Sequence, residues 1–194
     1  MGGWVVLDVE TQGLAGRSRD RGRLRELRVS VAVSLEVASG IYHWYTEERV
    51  TELIEQLRQA DLVVGFNLYG FDYPVLQSYT HAPLRSLPTV DIMDEVQRAT
   101  GCRVGLDRLA EATLGVRKTG SGVEAVRWWR DGQIDRLVRY CQKDVEITWR
   151  LFMFGLQKGY LLYRDHLGRL RRVAVEWKRA QGAGYAERGR QVGG

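Results

Sequence analysis

The stretch WVVLDVETQG, residues 4–13, constrains the fold most, because an apolar run ends in two carboxylates one residue apart. The run predicts a strand over residues 4–9, and side chains two residues apart share one face of a strand. Asp8 and Glu10 would therefore lie about 6–7 Å apart at the rise per residue of a strand. Like charges at that distance repel unless a cation lies between them. By itself the stretch fits either two solvated acids or part of a metal site.

The overall composition is that of a globular protein. Of the 194 residues, 44% are hydrophobic and 27% are charged, which predicts one domain over residues 1–180 and a flexible tail at 181–194. No apolar run approaches the ~20 residues of a membrane helix, and the N-terminus lacks a secretory signal pattern. We therefore expect a cytoplasmic protein with no membrane partner. Cys102 and Cys141 are too few and too far apart for a zinc site, and we expect two buried thiols.

The charge balance favours an anionic partner. The formal net charge is +5 at pH 7, and arginines concentrate in two basic clusters, residues 17–28 and 164–181. A basic surface of this kind fits nucleic acid. Each cluster also fits an ordinary solvated face, so the sequence leaves open whether either one binds nucleic acid.

The order of the predicted elements indicates an α/β fold. Three strands come first, and they predict an antiparallel meander at residues 4–9, 27–37 and 41–46. A helix follows, and then a continuously apolar segment that is typical of a buried parallel strand. These and the later elements are a helix at 48–60, a strand at 61–67, a helix beginning at 71, a strand at 88–92, helices at 105–115 and 133–157, and a β-hairpin at about 160–177. We expect a mixed sheet flanked by helices.

Three more polar residues fall where such a fold places ligand-facing groups. Asp72 follows the buried strand, and Tyr140 and Asp144 are four residues apart on the long helix. Ligands bind outside the C-terminal ends of strands in α/β sheets. Four residues advance a helix by about 400°, so Tyr140 and Asp144 share one face. Taken alone, Tyr140 also fits a tyrosine at the edge of the core, and Asp144 fits a solvated acid.

Together the chain carries a D-x-E strand end, an N-x4-D motif after a buried strand and a Y-x3-D motif on a late helix. In this order the three motifs resemble the DEDD superfamily of 3′–5′ exonucleases, tyrosine subgroup, to which ribonuclease D and the proofreading domains of DNA polymerases belong. The resemblance covers residues 4–155. Residues 105–152 are also similar to bacterial ribonuclease H-like domains that are predicted exonucleases and are sometimes fused to helicases.

The resemblance implies a ribonuclease H-like fold and a metal-dependent 3′–5′ exonuclease acting on the 3′ end of single-stranded DNA or RNA. A helicase or another repair or processing protein is the partner that it implies. The implied ligands of two divalent ions, Mg²⁺ or Mn²⁺, are Asp8, Glu10, Asp72 and Asp144. Tyr140 would orient the attacking water. Two other functions stay open: a non-catalytic module that binds nucleic acid or a helicase, and a structure-selective endonuclease.

The chemistry of phosphodiester cleavage needs an arrangement of this kind. Negative charge builds on the attacking and the leaving oxygen, and two ions about 3.5–4 Å apart stabilise both. Mg²⁺ and Mn²⁺ prefer carboxylate and water oxygens as ligands. Tyrosine has a pKa near 10 and is a poor base at neutral pH, so the expected task of Tyr140 is to hydrogen-bond the metal-bound water.

Three residues are candidate substrate contacts. Asn67 matches a polar position that precedes the second aspartate in the family. Phe71 is one of several aromatic residues around Asp72, and it fits either a wedge for a terminal nucleotide or core packing. Lys118 lies in a glycine-flanked loop and fits a phosphate contact. Asp91, which follows a predicted strand, fits an acid at the start of a helix better than a member of the site.

Overall fold

The computed structural model describes residues 3–14, 24–117 and 120–177. The predicted contact Lys118, the predicted tail at 181–194 and parts of both basic clusters lie outside these residues. The strands are β1 Trp4–Thr11, β2 Val29–Glu36, β3 Ile41–Tyr45, β4 Leu62–Gly65, β5 Thr89–Asp91, β6 Tyr160–Arg164 and β7 Leu170–Ala174. The helices are α1 Val50–Gln59, α2 Tyr73–Leu76, α3 Ile92–Thr100, α4 Leu106–Leu114, α5 Gly122–Arg130 and α6 Ile134–Lys158.

Five strands form one mixed sheet in the order β3-β2-β1-β4-β5. The pairs β1–β2 and β2–β3 are antiparallel, whereas β1–β4 and β4–β5 are parallel. Strands β6 and β7 form a separate antiparallel hairpin. The structure thus confirms the predicted fold, an antiparallel three-strand meander extended by parallel strands and followed by a C-terminal hairpin.

The sheet separates two hydrophobic cores. Val5, Leu7 and Val9 of β1 point into the smaller core, which α1 and α2 cover. Trp4 and Val6 point into the larger core, together with helices α3 to α6 and the hairpin. This alternation follows from the period of two in a strand, and it assigns the even positions of β1 to the face beneath α6.

Helix α6 is anchored to the chain that follows the hairpin by a close aromatic contact. The ring of Trp177 stacks on Phe152 with a centroid separation of 5.6 Å, and its Nε1 donates a hydrogen bond to the Phe152 carbonyl at 3.0 Å. A Cβ on Gly155 would lie 2.7 Å from the Trp177 ring, so only glycine allows this approach. The contact fixes α6, which carries Tyr140 and Asp144, against the rest of the larger core.

Two expectations from the sequence need correction. Cys141 is a buried thiol as expected, but Cys102 is exposed, because it directly follows Gly101, which ends α3 in the left-handed conformation. The helix expected to begin near Phe71 is instead a π-helical turn, Leu68–Asp72, followed by the short α2. Within the described residues, no helix combines the length and the apolar character that a membrane span requires.

Candidate metal-binding active site

The first two candidate ligands lie at the C-terminal end of β1. Asp8 and Glu10 occupy even positions of the strand, and both are half-buried beneath α6. Parallel pairing of β1 with β4 ends at Leu7 opposite Gly65. Beyond that pair β1 continues without β4 beside it, so this edge of the sheet opens next to the two acids. The carboxylates therefore lie at the edge where ligands bind in α/β sheets.

Helix α6 brings the third carboxylate to the same place. Asp144 is 2% exposed, and single carboxylate oxygens of Asp8, Glu10 and Asp144 all lie within 4.8 Å of one another. Tyr140 is also buried and lies one turn before Asp144 on the helix. The expected common face of the two α6 residues is confirmed, and both residues are more deeply buried than a position at the rim of the core implied.

Asp72 lies near this group but outside the set of mutually close oxygens. It ends the π-helical turn after β4 and is 3% exposed. Burial, and then the charge of Asp8, raises the pKa of Asp72 well above its usual range. Hydrogen bonds from the backbone N–H groups of Asp72 and Val9 oppose this rise in pKa. Asp72 is thus a buried acid that interacts with Asp8 and that a nearby cation would stabilise in its charged form.

The turn that carries Asp72 is held by Asp91, at the end of β5. The Asp91 carboxylate accepts hydrogen bonds from the backbone N–H groups of Asn67 at 2.8 Å and Tyr69 at 2.9 Å. It also accepts from the first turn of α3, so the expected role at a helix start is confirmed. Burial raises the pKa of Asp91, and these N–H donors oppose the rise. The link from Asp91 to residues 67–69 has no signal in the sequence.

Asn67 adopts the left-handed conformation with φ of 69°, which asparagine tolerates better than most residues. A Cβ on Gly70 would lie 2.3 Å from Asn67 Oδ1. Both residues therefore allow the chain to turn sharply between β4 and Asp72. The side chain of Asn67 accepts a hydrogen bond from Arg103 at 2.8 Å, which holds it in place.

Tyr140 is held on two sides by residues of the α4–α5 connection and of α5. Its ring meets the Trp128 ring edge-on, with centroids 5.4 Å apart, and Arg136 stacks on the Trp128 ring at 4.5 Å. A Cβ on Gly120 would lie 3.0 Å from the Tyr140 ring, and the φ of Gly120 is +126°. A cavity of about 350 Å³ opens beside this group. Trp128 and Trp129 are adjacent in the sequence, and Trp128 is the buried one of the two.

A contact between Cys141 and the candidate site was not predicted from the sequence. The Cys141 thiol donates a hydrogen bond to Asp8 Oδ2 at 3.2 Å. Burial, followed by the charges of Asp8 and Glu10, raises the pKa of the thiol well above its usual range, so it stays protonated and remains a donor. The position of Cys141 next to Tyr140 on the helix was the only available signal.

The three predicted substrate contacts and the two basic clusters differ in their surroundings. Phe71 is half-buried and packs against the smaller core, which is the second of the two interpretations left open for it. Asn67 is half-buried at the start of the same turn, and Lys118 lies outside the described residues. Neither basic cluster is described in full, and the described part of the second cluster lies largely on the exposed face of the hairpin.

The donor set suits a hard divalent cation. Asp8, Glu10 and Asp144 offer only carboxylate oxygens, which suit Mg²⁺ and Mn²⁺ and disfavour metals that select sulfur ligands. Oxygens within 4.8 Å of one another can reach a common ion with small side-chain adjustments, because Mg²⁺–O distances are about 2.0–2.1 Å. An ion at this position would also offset the repulsion among the three carboxylates.

A mixed sheet of this order, with an acidic cluster between its central strand and α6, is consistent with a ribonuclease H-like fold, which is typical of metal-dependent nucleases. The family model described as the RNase H superfamily matches residues 5–154, and the chain belongs to that superfamily. A comparison with curated proteins finds no match. Membership implies a nucleic-acid substrate, and nothing in the match supports a helicase partner.

Proposed function

We propose that the chain is a 3′–5′ exonuclease that hydrolyses phosphodiester bonds at the 3′ end of single-stranded nucleic acid, within one domain over residues 1–180. The observation that carries the proposal is the convergence of Asp8, Glu10 and Asp144 oxygens within 4.8 Å. Asp72 interacts with Asp8 from a buried position nearby. With Tyr140 on the same helix face as Asp144, the five residues match the motif set of the tyrosine subgroup in order.

The four carboxylates would hold two ions, Mg²⁺ or Mn²⁺. Asp8, Glu10 and Asp144 form the group for one ion, and Asp72 with Asp8 would serve the other. When bound, the two ions would stabilise the charge on the attacking and leaving oxygens. The protein would supply the rigid placement of its acids, from the end of β1, the turn after β4 and the packed helix α6. Such preorganised charge is a major source of rate enhancement.

Tyr140 would orient the attacking water through its hydroxyl group. Contacts with Trp128 and Gly120 limit the positions that its ring can take. A fixed hydroxyl restricts the approach of the nucleophile and so lowers the entropic part of the barrier. Its pKa near 10 makes it a poor proton acceptor at neutral pH, so we assign it orientation rather than general-base catalysis.

The substrate contacts that we propose are Asn67, Phe71 and Lys118. Asn67 directly precedes the turn that ends in Asp72, and its amide N–H groups would donate to a sugar or phosphate oxygen. Phe71 is only half-buried, and its accessible part would stack on a terminal base. Lys118 precedes Gly120 by two residues in the connection that contacts Tyr140.

The test uses single-stranded DNA and RNA, each labelled at the 5′ end and incubated with Mg²⁺ or Mn²⁺. A 3′–5′ exonuclease gives a ladder of progressively shorter labelled products, and a 3′ label is released at once as mononucleotide. Tyr140→Phe should slow the reaction while leaving metal binding intact. Asp61→Asn, which changes an exposed acid at the other end of the sheet, is the matched control. Release of a 5′ label as mononucleotide would contradict the polarity.

Circular single-stranded DNA distinguishes the remaining functions. An exonuclease needs an end, so the circle should persist while the linear strand of the same sequence is degraded. Cleavage of the circle would indicate a structure-selective endonuclease. Binding of linear DNA or RNA without any metal-dependent hydrolysis would indicate the non-catalytic module.

A further inference from the structure

A second polar pocket, of about 430 Å³, lies beside the turn that carries Asn67. Its walls come from this turn, from the 3-10 turn at residues 84–86 and from α3 and the residues after it. Three exposed arginines line it, Arg85, Arg98 and Arg103. None of them belongs to the D-x-E, N-x4-D or Y-x3-D motif, and none lies in either basic cluster of the sequence.

The three arginines differ in their partners. Arg98 forms ion pairs with Asp94 at 2.6 Å and Glu95 at 3.5 Å, so its charge is already balanced. Arg85 instead donates to the Tyr69 carbonyl at 2.8 Å and lies over the Tyr69 ring, 5.1 Å from its centroid. Neutral acceptors of this kind orient a guanidinium group and leave its positive charge in place.

Arg103 is held in the same way. Its Nη2 donates to Asn67 Oδ1 at 2.8 Å. In the described part of the chain, neither Arg85 nor Arg103 has a carboxylate within ion-pairing distance. The remaining acid of the wall, Asp91, accepts hydrogen bonds from four backbone N–H groups, which stabilise its charge locally. The pocket therefore presents two oriented guanidinium groups with unused N–H donors.

We propose that this pocket binds a backbone phosphate of the nucleic-acid strand, with Arg85 and Arg103 as its ligands. Guanidinium groups suit phosphate because their planar donors match two phosphate oxygens. The pocket adjoins the candidate site through Asn67, which begins the turn that ends in Asp72. A phosphate held there would belong to a nucleotide away from the scissile bond. The inference rests on the proposed nuclease function, and it adds how the strand is held irrespective of base sequence.

Binding is measured by fluorescence anisotropy with a labelled single-stranded 12-mer in EDTA, over a series of salt concentrations. Arg85→Gln and Arg103→Gln should each weaken binding roughly tenfold, the cost of one charge-assisted hydrogen bond. The double variant Arg85→Gln/Arg103→Gln loses the whole contact with that one phosphate and should reduce the slope of log K against log salt by about 0.7. Arg103→Lys keeps the charge and should keep the slope. Arg58→Gln, an exposed arginine paired with Glu55, is the matched control.

Wild-type affinity in both single glutamine variants, together with a wild-type slope in the double variant, would overturn the proposal. Hydrolysis in Mn²⁺ separates this failure from failure of the nuclease function. The ratio of kcat/KM for the 12-mer to kcat/KM for the p-nitrophenyl ester of thymidine 5′-phosphate, which has a single phosphate, should fall about tenfold in Arg103→Gln. If the wild type hydrolyses neither substrate, the nuclease function fails, and the binding series still decides whether the pocket holds phosphate.

Discussion

The thiol of Cys141 donates a hydrogen bond to the carboxylate of Asp8, with Sγ 3.2 Å from Oδ2. The same sulfur lies 3.4 Å from the Asp8 carbonyl oxygen. Asp8 lies toward the C-terminal end of β1 and Cys141 is a buried residue of α6, so this contact joins the two elements that carry most of the candidate ligands. It gives the Asp8 side chain one preferred orientation.

Replacement of the thiol should therefore weaken metal binding. Cys141→Ala removes the donor, and we expect about tenfold weaker Mn²⁺ binding, in line with the effect of other hydrogen bonds to metal ligands. Cys141→Ser keeps a donor and should retain most of the affinity. Titration calorimetry of both variants measures the difference. Equal affinities for the alanine and serine variants would show that the hydrogen bond does not position Asp8.

Asp72 should destabilise the metal-free protein at neutral pH. Burial and the charge of Asp8 raise its pKa in the folded state. A raised pKa contributes stability that is fully present below the unfolded pKa of about 3.9 and is lost as pH rises through the folded value. The free energy of unfolding in EDTA should thus fall as pH increases from 4. Asp72→Asn should reduce this dependence and raise the free energy of unfolding at pH 7, as urea unfolding at several pH values would measure. A steeper pH dependence in the variant would contradict the shift.

Divalent metal should stabilise the folded chain, because it offsets the repulsion among Asp8, Glu10 and Asp144. At a concentration 100-fold above Kd, the gain is about 2.7 kcal/mol. For a chain of this size that corresponds to a rise in Tm of roughly 5–10 °C. Differential scanning fluorimetry with Mg²⁺ and Mn²⁺ measures it, and Asp144→Asn should lose most of the rise. Ca²⁺ is a useful comparison, since its ligand distances are longer.

Gly120 should be required for the position of Tyr140. Gly120→Ala places a Cβ 3.0 Å from the Tyr140 ring at a φ of +126°. The ring must then move, and we expect kcat to fall about tenfold or more, because small displacements of catalytic groups are costly. Gly122→Ala is the control, since a Cβ there meets no atom within 4 Å. An equal kcat for both variants would show that the contact does not position Tyr140.

The sequence was sufficient to predict the local geometry of the strand and the long helix. A period of two places Asp8 and Glu10 on one face, and a period of 3.6 places Tyr140 and Asp144 on another. Both placements agree with the structure. The mixed character of the sheet also followed from the pattern, because a continuously apolar strand is typical of buried parallel pairing, whereas the order of the five strands was not predicted. The assignment of Asp8, Glu10 and Asp144 as metal ligands remains a prediction.

The remaining contacts depend on tertiary structure and have no local signal. Asp91 reaches back to Asn67 across 24 positions, and Arg103 reaches Asn67 across 36. Cys141 meets Asp8 across 133 positions. Such pairs are set by which strands end at the same edge and by how α6 lies on the sheet. No periodicity within one element encodes them, so single-sequence patterns predicted the elements better than the residues that support the site.

The most direct test of the central claim, that these carboxylates form the metal centre of a nuclease, compares wild type with Asp144→Asn in Mn²⁺ on one 5′-labelled single-stranded oligonucleotide. Asparagine keeps the size of the buried side chain and removes its charge. We predict a ladder of shortened products from the wild type, no reaction in EDTA, and a rate at least about 100-fold lower for the variant. Equal rates for the two proteins, or hydrolysis that persists in EDTA, would contradict the account.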